Sequence, residues 1–153
     1  MSRTEIINYE MLYKIEFTCG VREHHVYKTT WTPVLNEKLD CKKDSREEAL
    51  SHDKHSVGVF KKDGTLVGHI PIELSRLIDY FKESTEENFV SALVVGPRKR
   101  EVGLVVPAKF SAFTKDERIA TILSDKILKI KTKYTHFEMT FEESKVVKRP
   151  FLK

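Results

Sequence analysis

The sequence predicts one compact domain: a small, mainly antiparallel β-barrel, closed or half-closed, with two covering α-helices. Three observations support this fold class: a strand with period-two alternation, an Asp-Gly turn between two β-prone runs, and two apolar stripes at helical spacing. Strands and helices do not alternate one by one, which argues against a parallel, doubly wound sheet. With 153 residues, 40% of them hydrophobic, the chain is large enough for one modest core.

The first strand is predicted from alternating apolar residues, which should place one face in the core and end at Gly20. These residues are Met11, Tyr13, Ile15, Phe17 and Cys19. An irregular stretch follows, in which Leu39 and Cys41 predict a short strand and residues 42–48 an exposed loop. Asp63-Gly64 then separates the β-prone runs 56–61 and 65–68 and predicts a hairpin, because such a turn needs positive φ values.

Two helices are predicted, at residues 72–83 and 115–130. Pro71 fixes φ for the first turn of the earlier helix, whose apolar residues recur at steps of three and four. Thr114 and Glu117 have the spacing of a capping box at the start of the later helix. Runs 89–95 and 102–110 predict two further strands, and 134–141 an irregular last one. We therefore place the barrel domain at residues 9–135 and a basic C-terminal strand or tail at 136–153.

Charge is unevenly distributed along the chain. Residues 126–153 contain eight Lys or Arg and three Glu, a net charge of +5, whereas the remainder is close to neutral. Such a basic end is explained by a solvated face or tail, or by an electrostatic footprint for nucleic acid. No apolar run approaches the ~20 residues of a membrane span, so no membrane partner is expected. Two cysteines form no disulfide framework, which favours a reducing compartment.

Neither a metal site nor an enzyme is the favoured interpretation. The chain has Cys19, Cys41 and several histidines, including His24, His25 and His52, but structural zinc sites usually pair their ligands as C-x₂₋₄-C. Each cysteine here stands alone. The sequence contains no P-loop, G-x-G-x-x-G or G-x-S-x-G motif. We predict a binding protein without catalytic residues, metal or cofactor.

A basic cluster, Arg98-Lys99-Arg100, falls between two predicted strands, where its side chains are expected to point into solvent. Arg can bind two phosphate oxygens at once and Lys adds a point charge, so the cluster suits phosphate contact. An ordinary exposed loop has the same composition, and that interpretation stays open.

One segment resembles the HIRAN domain family. The segment runs from Leu50-Ser-His-Asp-Lys-His-Ser-Val-Gly-Val-Phe60 through Gly68-His-Ile-Pro71 to Glu73-Leu-Ser75. The family signature is approximately N-P-x-D-x-x-A-[IV]-x-V, a turn, then V-G-[HY]-[IL]-P. The resemblance covers roughly residues 14–113 and is strongest at 52–75. It implies an OB/SH3-like β-barrel with helices packed against it, in agreement with the pattern above.

The resemblance also implies a function. Characterised HIRAN domains occur in DNA-remodelling and repair proteins, and the best understood bind the 3′ end of single-stranded DNA. Their turn Asp accepts a hydrogen bond from the 3′-hydroxyl, the preceding aromatic stacks on the end base, and an Arg and a His hold phosphates. By motif, these roles fall on Asp53, His52, Arg22 and His69, with Arg98, Lys99 and Arg100 expected at the rim.

The sequence departs from the family pattern at several points. Leu50-Ser51 replaces Asn-Pro, His52 replaces a Tyr, and the basic cluster stands where DNA-binding members have an aromatic. Two functions therefore stay open: single-stranded DNA recognition, and a protein-interaction domain that has lost the DNA site. The expected location is inside the cell, in the nucleus in preference to the cytoplasm.

Overall fold

The computed structural model describes residues 8–101, 103–142 and 145–151. Its strands are β1 Asn8–Val21, β2 Lys38–Lys43, β3 Val57–Lys61, β4 Leu66–His69, β5 Phe89–Val94, β6 Lys99–Glu101, β7 Gly103–Thr114, β8 Thr140–Phe141 and β9 Lys145–Phe151. Its helices are α1 His24–Tyr27, α2 Glu47–His52, α3 Ile72–Ser84 and α4 Glu117–Lys133. None of these helices is long and apolar enough to cross a membrane.

The strands form an antiparallel sheet in the order β4-β3-β2-β5-β7-β1-β8, with β6 added to β7 and β9 added to β1. The predicted mainly β fold with covering helices is confirmed. "Barrel" describes it only loosely, because the sheet is not closed by a continuous ladder. Among the described residues the end of β1 meets the end of β4 through one isolated bridge, between Arg22 and His69.

The first strand is longer than predicted, and parts of both its faces are buried. Ile15 and Phe17 are fully buried, as the alternation required, but Met11 is 45% exposed. On the opposite face Leu12 and Glu16 are buried as well. The strand also continues through Gly20, where an added Cβ would lie 2.8 Å from the Val105 side chain, so glycine serves close packing and does not end the strand.

The hairpin predicted from Asp63-Gly64 is confirmed, with a turn in which only Gly64 has positive φ (92°). The Gly64 amide donates to the Lys61 carbonyl at 2.9 Å, and the Thr65 amide donates to the Asp63 carboxylate at 3.0 Å. A tight turn followed by a left-handed glycine matches the right-handed twist of the two strands.

Both predicted helices are present: α3 begins at Ile72 as predicted, whereas α4 begins at Glu117, two residues later than predicted. In α3, Leu74, Ile78 and Phe81 are buried, whereas Ile72 is 61% exposed. The capping box predicted from Thr114 and Glu117 is wrong. Thr114 is the last residue of β7, and Asp116 caps α4 by accepting from the backbone amides of residues 118 and 119. A carboxylate beside a helix N-terminus also favours the helix dipole.

One loop prediction is wrong, and the predicted C-terminal strand or tail contains a strand. The exposed loop predicted at 42–48 is divided between the end of β2 and the start of α2, and Asp44 between them is only 2% exposed. The segment 136–153, predicted as a basic C-terminal strand or tail, contains β9, which pairs with the first half of β1 from Asn8 to Lys14. β1 is long enough to pair with both β8 and β9. The domain division at residue 135 stays a prediction.

Candidate functional site

A cavity of about 530 Å³ opens where the bridge joins the ends of β1 and β4. Helices α1 and α2 and the start of α3 form its other walls. The lining residues are Arg22, Glu23, Val26, Tyr27, Arg46, Glu48, Ala49, His52, Asp53, Ser56, His69, Ile70 and Ile72. Four residues selected from the sequence, Arg22, His52, Asp53 and His69, therefore lie in one cavity.

The close approach of the two strand ends positions Arg22 and His69. The Arg22 amide donates to the His69 carbonyl at 2.9 Å, and the His69 amide donates to the Arg22 carbonyl at 3.2 Å. A Cβ at Gly68 would lie 2.6 Å from that Arg22 carbonyl oxygen, a distance that side chains do not tolerate. Glycine before His69 is therefore required by the bridge itself.

His69 lies between two carboxylates. Its Nε2 is 2.6 Å from Asp44 Oδ2 and its Nδ1 is 3.1 Å from Glu23 Oε2. Both ring nitrogens donate only when both are protonated, so this arrangement favours the imidazolium form. Burial favours the neutral ring, but the hydrogen bonds to Glu23 and Asp44 prevail and raise the pKa of His69 above its ordinary value.

Asp44 is the buried centre of this network. Arg46 donates to it from Nε at 2.9 Å and from NH2 at 2.8 Å, a bidentate pair. Burial of the carboxyl opposes ionisation, but the hydrogen bonds from Arg46 and His69 outweigh it and lower the pKa of Asp44 to about 2. Arg46 NH1 also contacts Glu48 at 2.9 Å, which fixes the Arg46 side chain at the cavity wall.

Arg22 also has an acidic partner. Its NH2 lies 3.0 Å from Glu73 Oε2, at the start of α3, and its guanidinium lies 5.6 Å from the centre of the Phe137 ring. The cations that line the cavity are therefore bound to carboxylates of the protein. An incoming anion has to compete with Glu23, Glu48 and Glu73 for them.

Asp53 has a structural part in the turn after α2. Its Oδ1 accepts from the His55 amide at 2.9 Å, and its Oδ2 accepts from the Ser75 hydroxyl of α3 at 2.6 Å. An ionised carboxylate has about four acceptor positions, so two bonds leave acceptor capacity on a group that lines the cavity. The two bonds cap the turn and fix the orientation of the carboxylate.

The cavity edge is amphipathic. His52, the last residue of α2, is exposed, and the Tyr27 ring lies 6.4 Å from the His69 ring. Val26 and Ile72 are 56% and 61% exposed. Flat rings and bare aliphatic side chains beside hydrogen-bonding groups suit a ligand that has both an apolar face and a polar edge.

The basic cluster does not line the cavity. Lys99 and Arg100 belong to β6 and not to a loop, because they pair with β7 opposite Val105 and Leu104. Arg98 NH1 reaches His24 of α1 at 3.4 Å, and Lys99 Nζ lies 3.2 Å from Glu138. All three basic side chains are exposed, and their place in nucleic-acid binding stays a prediction.

The two cysteines belong to the core. Cys19 and Cys41 are buried, and burial raises the pKa of both thiols, that of Cys41 to about 12. Among the described residues no three His, Cys, Asp or Glu side chains are grouped as ligands for a metal ion.

Sequence reasoning missed Glu23, Asp44 and Arg46, which order the cavity. Asp44 and Arg46 lie in the charged stretch after β2, where nothing in the alternation marks a buried carboxylate. The available signal for this pair was the sequence Asp-x-Arg directly after a short strand. An Asp at a strand end can accept hydrogen bonds from the backbone amide and the side chain of the residue two positions later.

Comparison with known proteins supports the fold. No protein-family model and no curated protein matches the sequence. The crystal structure of the HIRAN domain of human HLTF superposes with a TM-score of 0.55 and 17% identity, over 79% of this chain and 93% of that chain. The NMR structure of the HLTF HIRAN domain superposes with a TM-score of 0.56 and 19% identity, over 75% of this chain and 87% of that chain. The predicted resemblance to HIRAN domains is thus confirmed as a likeness of fold.

Proposed function

We propose that this protein is a nucleic-acid-binding module whose cavity receives the end of a single strand, with a preference for a free 3′-hydroxyl. The observation that supports it is the convergence of Arg22, His52, Asp53 and His69 in one cavity of a HIRAN-like fold. We further propose that the module has no catalytic activity of its own and acts in the nucleus.

Each residue type suits its proposed role. The Asp53 carboxylate only accepts hydrogen bonds, so it can bind a hydroxyl and repels a terminal phosphate. The imidazolium of His69 and the guanidinium of Arg22 can donate to phosphate oxygens. His52 and Tyr27 present rings at the cavity edge, where an end base can stack.

The charges of the cavity set a limit on affinity. Arg22 is paired with Glu73, and His69 with Glu23. A phosphate that replaces one of these carboxylates therefore gains only the difference in free energy between the new ion pair and the one it displaces. We expect weak, salt-sensitive binding. Two to four phosphate contacts on a single strand imply a slope of log K against log salt of roughly −1.4 to −2.8.

The test is a fluorescence-anisotropy titration with single strands of one sequence that end in a 3′-hydroxyl or a 3′-phosphate. Asp53→Asn keeps an acceptor for the turn and removes the charge. We expect it to lose the preference for the hydroxyl end with little change in salt slope. Asp125→Asn, an exposed site on α4, removes the same charge outside the cavity and should behave as wild type.

Two results would contradict the proposal: no binding of any single strand at low salt, or equal binding of the two ends by wild type and Asp53→Asn. The protein-interaction function would then be favoured. Val34 and Leu35, which are 62% and 63% exposed, form an apolar loop suited to a protein partner.

A further inference from the structure

An exposed stripe on α3 leads away from the cavity. Ile72, Arg76 and Tyr80 are spaced by four residues and therefore lie on one face of the helix. Ile72 lines the cavity, and all three side chains are exposed, Tyr80 by 51%. Because the helix rises 1.5 Å per residue, Tyr80 lies about 12 Å along the axis from Ile72.

Tyr80 is held in place although it is exposed. The guanidinium of Arg76 lies 5.6 Å from the centre of its ring, and the ring of His55, in the turn between α2 and β3, lies 5.0 Å away. His55 Nδ1 is in turn 2.8 Å from Asp79 Oδ2. A flat ring whose neighbours are a guanidinium and a fixed imidazole presents a stacking surface at low entropic cost.

The charges around the ring favour an anionic partner. Arg76 and Lys54 are exposed, and Lys43 lies beside Lys54, with its Nζ 2.6 Å from the Lys54 carbonyl. The acidic groups nearby are Asp79, which is buried between His55 and Lys43, and Glu83, which is exposed one turn further on. The stripe therefore combines a base-stacking ring with cations for phosphates.

We infer that this stripe is a second nucleic-acid contact for nucleotides upstream of the bound end. Their bases stack on Tyr80, and Arg76 neutralises the charge of their phosphates. This inference rests on the function proposed above. At about 3.4 Å per stacked nucleotide, the 12 Å between Ile72 and Tyr80 correspond to about four nucleotides. Three stacked nucleotides with their end in the cavity span about 10 Å and stop short of Tyr80, whereas a longer strand reaches it.

The experiment compares a 5′-labelled oligothymidine trimer with a strand of about ten nucleotides, both with a 3′-hydroxyl, in anisotropy titrations. We expect Tyr80→Ala to weaken binding of the long strand roughly tenfold and to leave the trimer unchanged. Tyr80→Phe retains the stacking face and should bind as wild type. Arg76→Ala should reduce the magnitude of the salt slope for the long strand by about 0.7.

Tyr134→Ala is the matched control. Tyr134 is 39% exposed, has the Lys133 ammonium 5.3 Å from its ring, and does not line the cavity. Thermal unfolding of each variant establishes that it is folded.

The inference is overturned if wild type binds the trimer as tightly as the long strand, or if Tyr80→Ala weakens both strands equally. It is also overturned if Tyr134→Ala reproduces the loss. The proposed function survives all three results. If neither strand binds wild type at low salt, the proposed function fails and this inference fails with it.

Discussion

Glu23 is expected to compete with the anion that the cavity is proposed to bind. Its carboxylate accepts from His69 Nδ1 at 3.1 Å, where a phosphate oxygen would otherwise accept. Its backbone is left-handed, with φ 71° and ψ 25°, an uncommon conformation for a residue other than glycine. Glu23→Gln keeps an acceptor and a similar side-chain volume but removes the charge, so we expect it to bind single strands more tightly.

The size of the effect follows from Coulomb's law. A phosphate oxygen on His69 would lie about 4 Å from the Glu23 carboxylate, and two unit charges at that distance in water interact by ~1 kcal/mol. The water value applies because the Glu23 side chain is 48% exposed. Removal of the repulsion should therefore tighten binding about fivefold at low salt. The gain should shrink as salt is added, since ions screen exposed charges.

The assay is an anisotropy titration near pH 6, below the ordinary pKa of histidine, where the raised pKa keeps His69 of wild type protonated and the hydrogen bond to Asp44 favours the same form in the variant. Glu86→Gln makes the same change of net charge at an exposed position between α3 and β5. A general electrostatic effect would therefore tighten both variants equally. If Glu23→Gln binds no more tightly than Glu86→Gln, Glu23 does not compete with the ligand and the reasoning is refuted.

Three further predictions concern stability. Gly68→Ala should lower the free energy of unfolding, measured in urea titrations, by about 1–3 kcal/mol, because the added Cβ would meet the Arg22 carbonyl oxygen. Gly96→Ala is the control: its Cβ has room, so the free energy of unfolding should be nearly unchanged. The raised pKa of His69 means that its stabilising contribution is complete below about pH 6.5 and is lost as pH rises through the folded-state value. Urea titrations across this range should show the loss in wild type and not in His69→Gln. Asp116→Ala should cost about 1 kcal/mol by removing the cap of α4, and an unchanged melting temperature would refute that role.

Local sequence signals predicted the elements well. The Asp63-Gly64 turn and the apolar stripe of α3 depend on neighbours within a few residues, so they are legible without the fold. The motif from His52 to His69 belongs to the same class, because one turn and one hairpin bring its members together.

Long-range pairing was not predictable in the same way. Asp44 contacts His69 25 residues later in the chain, and β9 pairs with a strand more than 130 residues earlier. Neither contact produces a periodic pattern of residues that could be recognised in the sequence. Asp44 looks like one more charge in a polar stretch, and only the fold shows that it is a buried acceptor for Arg46 and His69.

The position of the cavity explains why its cations are already paired. It lies at the one described bridge between the ends of β1 and β4, so unpaired charges there would repel one another where the sheet is least continuous. Carboxylates just before α1 (Glu23), just after β2 (Asp44) and in α3 (Glu73) neutralise them and join these parts of the chain across the gap. The same neutralisation reduces the gain that a phosphate could obtain from these cations. In the proposed function, selectivity is therefore expected to come from the fixed acceptor of Asp53 and from base stacking.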